Sequence, residues 1–311
     1  MTTSRKHHFV SQFYLAGFTS DGTQDGEIYS FDVQTKKSWK TVTRQIGVER
    51  DFNAIATEDG VSDALEKQLS TFEAQAAATF TRIRESRAVP TGDDFTNLVN
   101  FMALIGVRRP SMRKQLDSVQ SQVMRIALEL YLETPERWKH FCEKAKQDGA
   151  TTFVDVSYEQ ARDLFLKDDW RILSHPGNFH SMEFDVIDTV IQLLAQRDWS
   201  ILIAPRDSCF VTSDQPVNLI WTLPGEKPPY GPGYGSKHSS VLFPISKDLC
   251  LVGKFDAESV SAETNLLFVA TANSVVMTHC MRFVYSPVPN FACMAEDMTI
   301  ASSDHYFNKL R

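Results

Sequence analysis

Leu65-Glu66-Lys67-Gln68-Leu69-Ser70-Thr71-Phe72-Glu73-Ala74-Gln75-Ala76 places its apolar side chains three and four residues apart. That spacing lines one face of a helix. Leu65, Leu69, Phe72, Ala76 and Ile83 share the face, and Asp63 with Glu66 three residues later has the form of a capping box. Pro90-Thr91-Gly92 breaks the pattern. It resumes in Phe95, Leu98, Val99, Met102, Ile105 and Arg109, and again beyond Pro110 in Leu116, Val119, Val123, Ile126 and Leu130. Thr134-Pro135 starts a short helix with proline in the first turn, Ser157 to Gln160 is a second capping box, and a further helix is expected from about Ser181 to Gln196.

Strand patterns lie on both sides of this helical stretch. Upstream, Ser11 is expected to cap a helical turn over Gln12 to Leu15 that Gly17 ends. Glu27 to Val33 then alternates at period two and, after a turn at Gln34 to Lys37, returns through Trp39 to Val42 as a hairpin. Downstream, Trp199 to Ala204 and Cys209 to Thr212 predict a hairpin about Pro205 to Ser208. Val241 to Ile245 and Leu249 to Phe255 predict paired strands, Ala262 to Asn273 a helix, and Arg282 to Tyr285 a last strand. Strands at the ends and helices between them argue an α+β fold: a central helical bundle flanked by an N-terminal hairpin and a mostly antiparallel C-terminal sheet. A single compact domain over 1–311 is expected, with sub-regions 1–57, 61–198 and 199–311. Residues 223–240 hold four prolines and four glycines, which excludes a helix or an inner strand and leaves a binding loop or a plain surface loop.

The 32 Lys and Arg against 39 Asp and Glu give a net charge of −7, and apolar residues make up 42%. These values exclude a disordered chain and binding of long nucleic acid by net charge. No stretch reaches the ~18 apolar residues of a membrane span, the basic start leads into no signal-like run, and five scattered cysteines suit reduced thiols in a cytoplasmic protein. No CxxC, GxGxxG, HExxH or GxSxG occurs, and Lys237 follows Ser236 where a phosphate loop needs glycine.

Three features carry chemistry. His7 and His8 precede a helix start, where backbone N–H groups favour an anion, although a solvated basic terminus has the same appearance. Adjacent histidines rarely serve one metal together. Arg109 interrupts an apolar stripe, so it needs either a protein carboxylate or a phosphate, whereas Arg108 is expected to face water; Glu66 and Glu73, seven residues apart on one helix face, are the candidate carboxylates. Asp214, in Thr212-Ser213-Asp214-Gln215-Pro216, follows an apolar strand, where it can hold a metal, act as a base, or cap a turn through nearby N–H groups.

Lys6-His7-His8-Phe9-Val10-Ser11-Gln12-Phe13-Tyr14-Leu15 resembles the opening motif of domain-of-unknown-function family 4238, HHxxPxxYLxxF, with Ser11 where the family usually has proline. Glu49 to Phe52, Leu65-Glu66 with Glu73, Arg109-Pro110, Phe210 to Pro216 and Phe243 to Ser246 follow the order and spacing of that family. The family is mostly prokaryotic and includes single-gene antiphage defence proteins, so the resemblance implies a defence role without assigning a reaction.

Two readings follow. In the first, His8 or His7, Asp214 and Glu66 or Glu73 hold a divalent metal ion that activates water, while Arg109 stabilises charge on a phosphodiester or nucleotide. In the second, the same residues form a non-catalytic module of a defence system that binds a ligand or a phage component. Neither reading fixes an oligomeric state.

Overall fold

The computed structural model describes residues 6–50, 52, 55–57, 60–62, 64–149, 156–167, 176–225 and 228–307. In chain order the elements begin with β1 (Lys6–His8), α1 (Gln12–Ala16), β2 (Glu27–Asp32), β3 (Lys37–Val42), β4 (Val48–Arg50), β5 (Ile55–Thr57) and β6 (Gly60–Ser62). The helices α2 (Ala64–Ser86), α3 (Gly92–Val107), α4 (Pro110–Tyr131), α5 (Pro135–Gln147), α6 (Tyr158–Lys167) and α7 (Pro176–Ala195) follow. The remainder comprises β7 (Asp198–Ile203), β8 (Thr212–Ser213), β9 (Asn218–Trp221), β10 (Ser239–Ser246), β11 (Leu249–Lys254), β12 (Ser261–Glu263), α8 (Leu266–His279), β13 (Phe283–Ser286), β14 (Ala292–Met294), β15 (Ile300–Ser302) and α9 (Asp304–Phe307). This is an α+β protein.

The chain divides into two compact units, Met1–Arg109 with His180–Arg311, and Pro110–Phe179. These boundaries differ from the sub-regions read in the sequence, because α2, α3 and most of α7 share a core with the sheet.

In the larger unit, a five-stranded sheet of order β12-β7-β11-β10-β9 is antiparallel except where β12 joins β7. Both of its faces are covered. Val241, Phe243, Ile245, Leu251 and Ile201 enter one core with α1, α2, α3 and α7. Leu242, Cys250 and Val252, one residue out of phase, enter a second core with α8 and with Phe31 and Val284. Burial on both faces explains why β10 and β11 read as almost continuous apolar runs, since each parity of the strand meets a different core. A four-stranded sheet, β3-β2-β13-β8, joins the N-terminal hairpin to the C-terminal region.

The hairpins β2–β3 and β10–β11 form as expected, with Ile28 opposite Thr41 and Phe243 opposite Leu251. A hairpin of 199–204 with 209–212 does not form. β7 pairs with β11 and β12, while β8 pairs with β13. The Phe210 N–H instead donates to Lys247 O and the Val211 N–H to the Asn273 side chain, so long-range partners displace the local turn. The helix expected from Ala262 begins later, at Leu266, where Asn265 caps it by accepting from the Phe268 N–H. The described residues of the 222–238 connection form no helix or strand but are tied down: Arg197 donates to Tyr234 O at 2.6 Å, and the Trp221 indole donates to Tyr230 O at 2.7 Å.

The smaller unit has its own core of Leu132, Trp138 and Ala161. Its caps match the sequence. Ser157 and Gln160 exchange backbone-to-side-chain hydrogen bonds in a reciprocal capping box, and Thr134 accepts from the Arg137 N–H ahead of Pro135. Asp63, the cap expected for α2, lies outside the described residues.

Candidate functional site

β1 pairs antiparallel with β4, placing His7 opposite Glu49 and His8 opposite Val48. Successive strand residues face opposite sides, so the two imidazoles diverge: His7 is buried, and His8 opens onto a cleft. The cleft has a volume of about 310 Å³ and is lined mainly by polar groups, among them His8, Gln12, Gln24, Ser70 and Glu73. A separate narrow pit of about 20 Å³ shares His8 and Glu73 with the cleft and is also walled by Ser11, Phe101 and Arg108, a volume near that of a single water.

Each wall has a local cause. Ser11 occupies the N-cap position of α1 but makes no capping bond, because its hydroxyl donates to Glu73 of α2. Gln12 is the first residue of α1, and its side-chain oxygen accepts a long 3.4 Å bond from Thr43. That same Thr43 hydroxyl donates to Gln24 O at 2.6 Å, which fixes the far rim.

The arginine of this site is Arg108 rather than Arg109. α3 ends at Val107, and Arg108 leaves the helix with φ −81 and ψ 80, so the helical phase that assigned Arg108 to solvent no longer applies. Arg108 is buried, its Nε lies 3.6 Å from the fully buried Glu183 carboxylate, and its guanidinium stands 5.8 Å from the Phe52 ring centroid. Arg109 is half-buried near the Tyr234 phenol, and burial lowers its affinity for the proton while the phenol opposes that shift. The sequence marked Arg108 only through its place beside Arg109-Pro110, and it offered no sign of Glu183.

Asp214 is fully engaged by the backbone. Its carboxylate accepts from the Met281 N–H at 2.8 Å and from the Arg282 and Phe283 N–H groups at 2.9 Å each. Burial pushes its carboxyl up, and these three donors pull it back. The turn-capping role expected of it is thus performed on a segment 67 to 69 residues away rather than on neighbouring residues. The flanking residues are also engaged: Thr212 bonds the Tyr14 hydroxyl at 2.7 Å, and Ser213 accepts from the Gln215 N–H.

His8 and Glu73 therefore line one cleft, whereas Asp214 serves the α8–β13 connection and Arg109 stands beside the 222–238 connection. The Glu66 side chain lies outside the described residues. No group of three or more His, Cys, Asp or Glu side chains is arranged to hold a metal among the described residues. Asp214 does not line the cleft that His8 and Glu73 share, and its carboxylate accepts from three backbone N–H groups.

A family model described as "Protein of unknown function (DUF4238)" matches residues 6–287. The chain belongs to this family. Comparison of this DUF4238 chain with curated proteins and with solved structures gave no match. The N-terminal motif and the Thr212–Pro216 motif of the chain meet through the Tyr14–Thr212 hydrogen bond, so they act together on the fold. No helix among the described residues is long and apolar enough to cross a membrane.

Proposed function

We propose that the His8–Glu73 cleft binds a small polar ligand of nucleotide size and that the chain is the ligand-sensing module of an antiphage defence system. One observation carries this reading. Polar side chains from β1, α1 and α2 converge on a single cleft, and Arg108 walls the narrow pit that shares His8 and Glu73 with it. The lining offers amides that both donate and accept, an imidazole, hydroxyls and one carboxylate, a set that matches the mixed edge of a nucleobase or a ribose. The defence role rests on the likeness to family members of that kind.

The test is calorimetric titration with a panel of mono-, di- and cyclic nucleotides, on wild type, His8→Ala and Glu73→Gln, alongside phage plaque counts. Binding and protection lost together, with melting temperatures within about one degree of wild type, is the expected result. The reading fails if no nucleotide binds, or if binding survives both substitutions.

The hydrolase reading retains one supporting observation, that His8 and Glu73, side chains suited to passing a proton, share the cleft. No step is assigned to a metal ion, since no fitting group of ligands occurs among the described residues. Nucleotide or nucleic-acid turnover with Mg²⁺, Mn²⁺ or Zn²⁺, abolished by His8→Ala, would favour it over a purely sensing role.

A further inference from the structure

In the smaller unit, α4 has two apolar faces. One carries Leu128 and Tyr131, which pack with Leu132 against Trp138 and Ala161 of α5 and α6. The other carries Val119, Val123, Ile126 and Leu130, which are 59, 60, 58 and 57% exposed. Met112 and Leu116, partly covered, extend this second face toward the helix start, so the apolar positions 112, 116, 119, 123, 126 and 130 step by four and three in strict alternation. A mean step of about 3.5 residues is the signature of a helix made to pack along another helix, with apolar side chains entering holes on the facing surface.

We propose that this face is a dimer seam, occupied by α4 of a second copy of the chain running antiparallel. The stripe is complementary to itself in that direction. A two-fold axis at the level of Ser121 sets Met112 against Leu130, Leu116 against Ile126, and Val119 against Val123, and symmetry makes each pair twice. The flanks agree. Gln120 and Gln122 each meet their own copy, Arg113 meets Ala127, and Glu129 meets Gln115, so no like charges face each other across the seam. Six apolar side chains hide on the order of 500 Å² per copy, and with the flanking stems the contact approaches the ~800 Å² per partner of a stable interface. The assignment is independent of what the His8–Glu73 cleft binds.

Sedimentation velocity of the full chain measures it. Wild type is expected to be a dimer at about 50 μM, and Val123→Glu with Ile126→Glu a monomer with an unchanged melting temperature. A wild type that stays monomeric at about 100 μM overturns the proposal, as does a dimer that survives both substitutions. Cysteine pairing covers the case in which the glutamates unfold the unit. Mixing Val119→Cys protein with Val123→Cys protein under mild oxidation should join position 119 of one copy to 123 of the other, identified by peptide mass spectrometry. Absence of that link overturns the antiparallel seam, and a stronger 123-to-123 link from Val123→Cys alone would show the helices parallel instead.

Discussion

The Tyr14 hydroxyl and the Thr212 hydroxyl share a 2.7 Å hydrogen bond across 198 residues of sequence, and the same phenol donates to Pro244 O at 2.8 Å. Tyr14 stacks on Phe243 with ring centroids 5.4 Å apart and is fully buried. One side chain thereby joins α1, β8 and the inner strand β10. Burial drives its phenol well above the ordinary tyrosine value, so it is a neutral donor at every physiological pH.

Tyr14→Phe keeps the ring packing and removes both bonds, leaving Thr212 and Pro244 O without this partner in a buried site. A loss of about 1–3 kcal/mol is expected from urea unfolding. Part of that loss should disappear from the comparison when Thr212→Val is already present, because the two substitutions share the Tyr14–Thr212 bond while the bond to Pro244 O is lost in either background. Fully additive losses would show that the bond contributes nothing.

Asp214→Ala strips acceptors from three backbone N–H groups at once, so stability should fall by at least ~3 kcal/mol. Asp214→Asn, which retains one oxygen, should fall between this variant and wild type. Thermal melts and the phage protection proposed above should decline together. A variant with a wild-type melting temperature but no protection would instead place Asp214 in the working site.

Breaking the Arg108–Glu183 pair strands a buried charge. Arg108→Met or Glu183→Leu alone is expected to cost about 3–5 kcal/mol. The double variant should recover most of that loss, because neither charge then remains in the interior. Chemical denaturation of the four proteins measures the coupling, and a double variant as unstable as the sum of the singles would refute it.

Asp32 governs part of the acid limb. It is buried, and Arg282 donates to its carboxylate at 2.8 and 3.1 Å while the Gln34 and Thr35 N–H groups add further bonds. The guanidinium holds the carboxyl well below the usual carboxylate range. A depressed folded value means that the stabilisation is complete above the unfolded carboxylate value near ~3.9 and is lost as pH falls through the lower folded value. Asp32→Asn should therefore flatten melting temperature against pH below about pH 4. An unchanged acid limb would remove Asp32 as its source.

Local patterns carried far in this chain. The reciprocal Ser157–Gln160 cap, the Thr134-Pro135 start, the β2–β3 hairpin and the β10–β11 pair depend on neighbouring residues, and all of them form. The divergence of His7 and His8 also follows from strand alternation. The β7 partner and the start of α8 depart from local expectation through a distant pairing: β7 takes β11 and β12, and the pairing of Ser261–Glu263 with β7 holds 261–263 extended, so the helix starts only after the Asn265 cap.

The candidate site shows the same division. His8 and Glu73 are visible as residue types at suggestive places, but helical phase pointed to Arg109, and only the non-helical turn at Arg108 reversed that choice. Asp214 has one appearance in sequence, an acid after a strand, whether it binds a ligand or caps backbone. The three N–H groups that decide the matter lie 67 to 69 residues away.

The sequence by itself determined the α+β class, most helices, two hairpins and the family, because periodicity, caps and turns are set by forces acting within a few residues. Tertiary structure alone decided which arginine is buried, what occupies Asp214, and that both sheet faces are covered. Those outcomes depend on desolvation and on hydrogen-bond partners brought together only by folding, and no spacing along the chain encodes them.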